Sequence, residues 1–140
     1  MRLDKIKEIV ALNNQGVFTT FRRSGAIQMS IVTVGVLAEG VGFTVSPKSA
    51  KLVNLKRSPR CSLMVSQNDW REYAVIEGCA HLLSPDVSPT EELRLTLREV
   101  YRAGSGKEHP DWDEFDQAVQ KDRRSAVIIV PEHVYYGSAG

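Results

Sequence analysis

The stretch SPKSAKLVNLKRSPRCSLMV, Ser46 to Val65, gathers five cationic side chains, Lys48, Lys51, Lys56, Arg57 and Arg60, and contains no acid. The whole chain of 140 residues is nearly neutral, with a formal net charge of +1. A basic cluster inside a neutral protein needs a local reason. The pattern reads as a helix followed by a strand. Ser46 is a good N-cap and Pro47 suits the first helical position. Leu52, Val53 and Leu55 supply an apolar stripe. Ser58-Pro59 stops the helix, because a residue before proline is pushed out of the helical region. CSLMVS, Cys61 to Ser66, then reads as a strand.

The positions of the charges divide them into two groups. A helix N-terminus carries about half a unit of positive charge from its aligned peptide dipoles. Lys48 and Lys51, in the first turns, add to that charge and are unfavourable there unless an anion arrives. A phosphate would take hydrogen bonds from the free N–H groups and ion pairs from the lysines. Ser46 and Ser49 offer hydroxyl donors, and Thr44, at the end of the preceding strand, a third. Lys56, Arg57 and Arg60 sit at the other end, where they complement the negative dipole and need no ligand. A solvated basic face is the plainer reading of the same residues.

Around this stretch the elements follow in order. Residues 3 to 13 have helical spacing in Leu3, Ile6, Ile9 and Val10. VFTTF, Val17 to Phe21, reads as a strand. RRSG, Arg22 to Gly25, is a hairpin turn into a second strand from Ala26 to Val36, and Ala38 to Gly40 turn into a third, Val41 to Val45. These three predict an antiparallel meander. Asn68 to Trp70 turn into a long strand, Glu72 to Leu83, in which Gly78 signals a bulge. Ser88-Pro89-Thr90-Glu91 reads as a capping box opening a helix to about Ala103. A loop over 104–110, a short helix from Trp112 to Lys121 and a strand from Ser125 to Pro131 close the series. HVYYG extends or repeats that last strand. The whole predicts one mainly β domain of the α+β class: a six-stranded antiparallel split barrel with peripheral helices.

Composition excludes several classes. With 42% hydrophobic and 25% charged residues the chain has the make-up of a soluble globular protein. The near-neutral charge argues against a nucleic-acid partner. The charged, amphipathic start has no apolar core of the signal-peptide kind, and no apolar run approaches a membrane span, so a cytoplasmic protein is expected. Cys61 and Cys79 lie in strands, form no CxxC pair, and read as buried thiols; no metal site is expected.

The order FTVSPKSAKLVNLKRSPRCSLMV followed by YAVIEGCAHLL resembles the pyridoxamine 5′-phosphate oxidase-like superfamily of flavin-binding split barrels. The residues that carry the likeness are Thr44, Lys48, Lys51, Asn54-Leu55, Lys56-Arg57, Pro59-Arg60, Ser62-Leu63 and Glu77-Gly78-Cys79-Ala80. It is most similar to the short branch that uses the deazaflavin coenzyme F420 rather than FMN. The resemblance implies a homodimer with two cofactor sites at the interface and a phosphate against Lys51 and its neighbours. It implies a ring lying along the second strand, at Gln28, Met29, Ser30 and Thr33, with Phe43 and Thr44 from the third. Ser49 departs from the pattern, since relatives carry an arginine there, and Lys48 is the nearest substitute. The larger oxidases carry an arginine-rich C-terminal substrate segment that YYGSAG does not match, so pyridoxamine phosphate oxidation itself is not expected.

The sequence also lacks G-x-S-x-G, H-E-x-x-H and P-loop patterns, which suits a reaction whose chemistry a cofactor carries. His81, His109 and His133 are scattered; His81 is the best of them as a proton donor. Trp70, Arg71 and Tyr73 sit near a loop at the border of the expected site, a surface or core role being the plainer reading, and Trp112 and Phe115 anchor a helix. The expected function is an oxidoreductase passing hydride from F420 or FMN to a small conjugated organic acceptor. The alternative is a protein that holds a flavin, deazaflavin or haem-type ligand without turnover.

Overall fold

The computed structural model describes residues 3–139. Helix α1 (Asp4–Leu12) is followed by strands β1 (Gln15–Phe21), β2 (Ile27–Thr33), β3 (Gly35–Val36) and β4 (Val41–Val45), then α2 (Ala50–Arg57), β5 (Arg60–Ser66) and β6 (Glu72–Leu83). Helices α3 (Thr90–Ser105) and α4 (Trp112–Lys121) precede the last strand, β7 (Ser125–Ser138). The strands form one antiparallel sheet in the order β2-β1-β5-β6-β7-β4-β3. The sheet curls until its two edge strands, β2 and β3, are separated only by Val34. This is the mainly β split barrel expected from the sequence, with seven strands rather than six.

The additional strand comes from a break in the expected run from Ala26 to Val36. Val34 carries the pairing with β1 one step further, donating its N–H to the Asn14 carbonyl (2.8 Å), and there that pairing ends. Gly35 then passes so close to α3 that a Cβ would stand 2.4 Å from the Gly104 nitrogen. Only glycine fits there. The expected meander forms in two pieces: the run 26–36 pairs with β1 through β2 and with β4 through the two residues of β3. β2 pairs with β1, and β4 pairs with β7 and the short β3.

Two helix starts also differ from expectation. Ser46 does not cap α2. Ser46 to Ser49 form a turn, closed by the Ser49 N–H on the Ser46 carbonyl (3.2 Å), and Ser49 is the N-cap of a helix that begins at Ala50. Pro47 serves the turn, for which its fixed φ is equally suited. The capping box at Ser88 is not made either. Helix α3 starts at Thr90, and the Ser88 hydroxyl accepts from the Ser84 N–H (3.0 Å), facing back toward β6. Helix α3 runs past Ala103 to Ser105, where Gly106 ends it in the left-handed region (φ 73°).

The barrel interior is a continuous apolar cluster. Phe18, Phe43, Leu63, Val65, Ile76, Val127 and Ile129 fill it, Ile6, Ile9 and Val10 of α1 cover part of it, and Leu52 and Leu55 of α2 cover another part. A second cluster sits under α3, where Leu93 and Leu97 pack on Leu83, Ala126 and Ile128. Arg94 and Arg98 of α3 both bind Asp116 of α4, and Trp112 lies beneath the guanidiniums of Arg98 and Arg102. Trp112 and Phe115 thus anchor α4 as expected.

β6 and β7 form the longest ladder, and HVYYG continues β7 rather than starting a new strand. Gly78 does mark a bulge. It faces Pro131 while Glu77 faces His133, so Glu132 is the extra residue. A Cβ on Gly78 would stand 2.0 Å from the Val130 carbonyl oxygen. On the outer side of the sheet the registers align Ile31, Val17, Met64, Val75 and Tyr135 in a single row across five strands. That row is apolar throughout, and its ends are exposed, Ile31 by 60% and Tyr135 by 43%.

Replacing Gly78 with valine should destabilise the chain by on the order of 3 kcal/mol or more, since the obstacle is backbone and cannot rotate away. Urea unfolding of Gly78→Val against the parent measures it; a midpoint shift below that of an ordinary surface substitution contradicts the register described.

Candidate functional site

The expected site residues fall into three groups. The first is the turn and helix after β4. Thr44 is half-buried near the end of that strand, Ser46 and Lys48 are exposed in the turn, and Ser49 and Lys51 are half-buried at the start of α2. Helix α2 begins there because the turn reverses the chain and Leu52 and Leu55 bury themselves in the barrel end. The first N–H groups of any helix lack internal partners.

The five charges of the opening stretch separate as their positions predict. Lys56 lies 3.6 Å from Asp86 and Arg60 lies 3.8 Å from Glu132. Arg57 donates to the Phe21 carbonyl and reaches Asn54 at 3.5 Å. Among the described residues Lys48 and Lys51 have no carboxylate within 4 Å. Burial pushes the Lys51 amine below its ordinary pKa, and the Arg124 guanidinium pushes it further in the same direction. The helix N-terminus therefore concentrates positive charge that the protein itself does not neutralise.

The second group is β2. Its alternation is the reverse of an ordinary barrel strand. Gln28 and Ser30 turn to the interior side, whereas Ile27 (53%), Met29 (54%) and Ile31 stand out in solvent with Thr33. The four expected ring residues thus lie on two faces of one strand. Ser30 buries a hydroxyl without a hydrogen-bond partner among the described residues.

The third group is interior. Phe43 is fully buried, edge-on to Phe18 with ring centroids 4.7 Å apart, and belongs to the core. Asn54 is buried too. Its Nδ2 donates to the Thr20 hydroxyl (3.1 Å), and that hydroxyl donates to Gln28 Oε1 (3.0 Å). One buried chain of hydrogen bonds thus ties α2 to β1 and β2 and brings Asn54 and Gln28 together. Thr20 holds the middle and was not among the expected residues. Its signal was present in VFTTF, where it shares the inward side with Phe18. Arg124 was also missed. It lies more than seventy residues from the lysines in sequence, and the pairing of β4 with β7 brings it near Lys51.

The remaining expectations can be placed. His81 Nδ1 lies 3.7 Å from Glu39, on the outside of β6. His109 accepts the Asp111 N–H at the start of α4 and packs among Tyr101, Trp112 and Phe115. His133 stands beside Tyr135. Cys61 and Cys79 are free, on neighbouring strands; Cys61 is buried as expected, and burial pushes its thiol up to about 12, whereas Cys79, expected to be buried, is only half-buried and its thiol donates to Glu132. A hollow of about 1300 Å³ opens between α1, residues 36–39 and the end of α3, and it includes none of the expected residues. Among the described residues no cluster of His, Cys, Asp and Glu could hold a metal ion, and no helix is long and apolar enough to cross a membrane.

Replacing Asn54 with leucine removes the donor to the Thr20 hydroxyl, which keeps only its bond to Gln28, and should cost about 1–3 kcal/mol, read from chemical unfolding. Cys61 should resist alkylation at pH 8 in the folded protein and react only after unfolding, because its thiolate is scarce and shielded; peptide mapping after iodoacetamide treatment reports this.

Solved structures share this architecture. A conserved hypothetical protein of Mycobacterium tuberculosis superposes with a TM-score of 0.76 at 22% identity, over 99% of this chain and 85% of the other. The haem storage protein HutZ of Vibrio cholerae gives 0.65 at 19% identity, over 99% and 95%. An F420 reductase gives 0.59 at 23% identity, over 90% and 94%. Residues 3–137 match the pyridoxamine 5′-phosphate oxidase family, so the chain belongs to that family of split barrels.

Proposed function

We propose that the protein is an oxidoreductase that holds coenzyme F420 or FMN and passes hydride to a small conjugated organic acceptor. One observation carries the reading: Lys48 and Lys51 stand unneutralised at a helix N-terminus beside the end of β4. Free N–H groups, two ammonium groups and the hydroxyls of Ser46 and Ser49 match the oxygens of a phosphate in number and kind. The open side of β2 supplies the apolar ground for a planar ring, with Met29 and Thr33 outward and Gln28 fixed by Thr20. The bound cofactor would supply the hydride. The chain's own residues hold the phosphate, set the ring against β2 and keep water from its outer face. A likeness in fold to an F420 reductase supports the deazaflavin as the cofactor.

The site works in a homodimer in this reading. The outer row from Ile31 to Tyr135 is apolar across five strands, and a second copy of the same row is its natural cover. Covering it would bury Ile27, Met29 and Ile31 and give the ring a second wall. Ile31→Glu should then yield a folded monomer by light scattering that no longer binds cofactor. A monomer that binds with unchanged affinity rules out a site shared between copies.

Lys51→Ala should weaken cofactor binding by about 1–3 kcal/mol, measured by fluorescence titration with F420 and with FMN. Anaerobic mixing of the reduced complex with enones and quinones then tests turnover. Tight binding without acceptor-dependent oxidation assigns a holding role in place of the enzymatic one. An unchanged dissociation constant in Lys51→Ala removes the phosphate site.

A further inference from the structure

We infer that Arg124 is a further cation of the anion site at Lys48 and Lys51, and that its guanidinium joins the Lys51 ammonium on one phosphate. The inference rests on the reading above, that the end of β4 and the start of α2 take a phosphorylated ring, and it adds a residue from a distant part of the chain.

The placement follows from the sheet. Val45 faces Ser125 in the antiparallel pairing of β4 with β7, so the next step of that ladder sets Arg124 across from Ser46. Ser46 opens the turn that leads into α2, and Lys51 is the second residue of that helix. The guanidinium and the ammonium thus approach from two elements that meet only in the folded barrel. They are close enough for Arg124 to disfavour the charge on Lys51.

Nothing among the described residues offsets this repulsion. The neighbouring Arg123 binds Asp86 at 2.9 Å. Arg94 and Arg98 share Asp116, and Arg102 is held by Glu99 and Glu108. Arg124, like Lys51, has no carboxylate within 4 Å. The chain neutralises each of those neighbouring arginines and leaves this one, within electrostatic reach of Lys51, without a carboxylate. The same end of the sheet holds a second unmet group. Ser84 follows Leu83, the partner of Ala126, and so sits beside Ser125; it is buried, and its Oγ has no hydrogen-bond partner among the described residues.

A phosphate ester suits this pair. A guanidinium can grip two of its unesterified oxygens, and an ammonium adds a compact positive charge beside them. Arg124 would then distinguish phosphorylated rings from the same rings without phosphate.

The experiment compares FMN with riboflavin, and F420 with its phosphate-free deazaflavin core, on the parent protein and on Arg124→Gln and Arg124→Lys. Arg124→Gln should weaken the phosphorylated ligands about tenfold or more and leave the phosphate-free ones unchanged, with Arg124→Lys recovering much of the loss. In the unsubstituted protein with ¹³C-methylated lysines, inorganic phosphate should move the Lys51 resonance and raise its titration midpoint. Phosphorylated ligands that bind Arg124→Gln as well as the parent, or a Lys51 resonance indifferent to phosphate, overturn the role of Arg124. If the parent itself does not prefer phosphorylated rings, the cofactor reading falls as well.

Discussion

A single hydroxyl in an apolar interior sets the geometry on which the site depends. Thr20 is fully buried, where an unmet polar group costs about 1–3 kcal/mol. It is satisfied twice, by accepting from Asn54 and donating to Gln28. Both partners lie on elements that could otherwise slide, a helix of two turns and an edge strand. Apolar packing of Leu52 and Leu55 holds α2 against the barrel but is indifferent to small rotations. The directional bonds are not. They fix which way the helix start points, and with it the lysines.

Much of this architecture was legible in the sequence because its signals are local. The bulge at Gly78, the stop at Ser58-Pro59, the extension of β7 and the division of the cations at the two ends of α2 each follow from a few adjacent residues. What escaped depended on contacts far along the chain. Nothing in AIQMSIVTV announces that Val34 will bond to Asn14, or that Gly35 must pass beneath the end of α3. The run reads as one strand because each half of it is one. Ser46 and Ser88 both look like helix caps, and each is taken instead by a turn or by a bond back to an earlier residue. Short polar side chains satisfy whichever backbone group is nearer, and sequence alone does not say which that will be.

The candidate site divides in the same way. Lys48 and Lys51 could be singled out from dipole arguments alone. β2 was legible as a strand, yet which of its faces looks outward is decided by pairing with β1. The reversed polarity of β2 links the two halves of the functional reading. A strand that points isoleucine and methionine into water while hiding glutamine and serine is poorly suited to a solitary barrel. It is well suited to a surface covered in use, by a ring, by a second copy of the chain, or by both.

The extra residue at Glu132 has an effect beyond its own position. By slipping the phase of β7 by one place, it turns Val134 into the barrel beside Ile76 and sends Tyr135 out to finish the apolar row. An unbulged ladder over the same residues would exchange the two, putting a phenol inside and a valine outside. The chemical character of the outer wall at that edge is therefore written in a count of residues rather than in their identity.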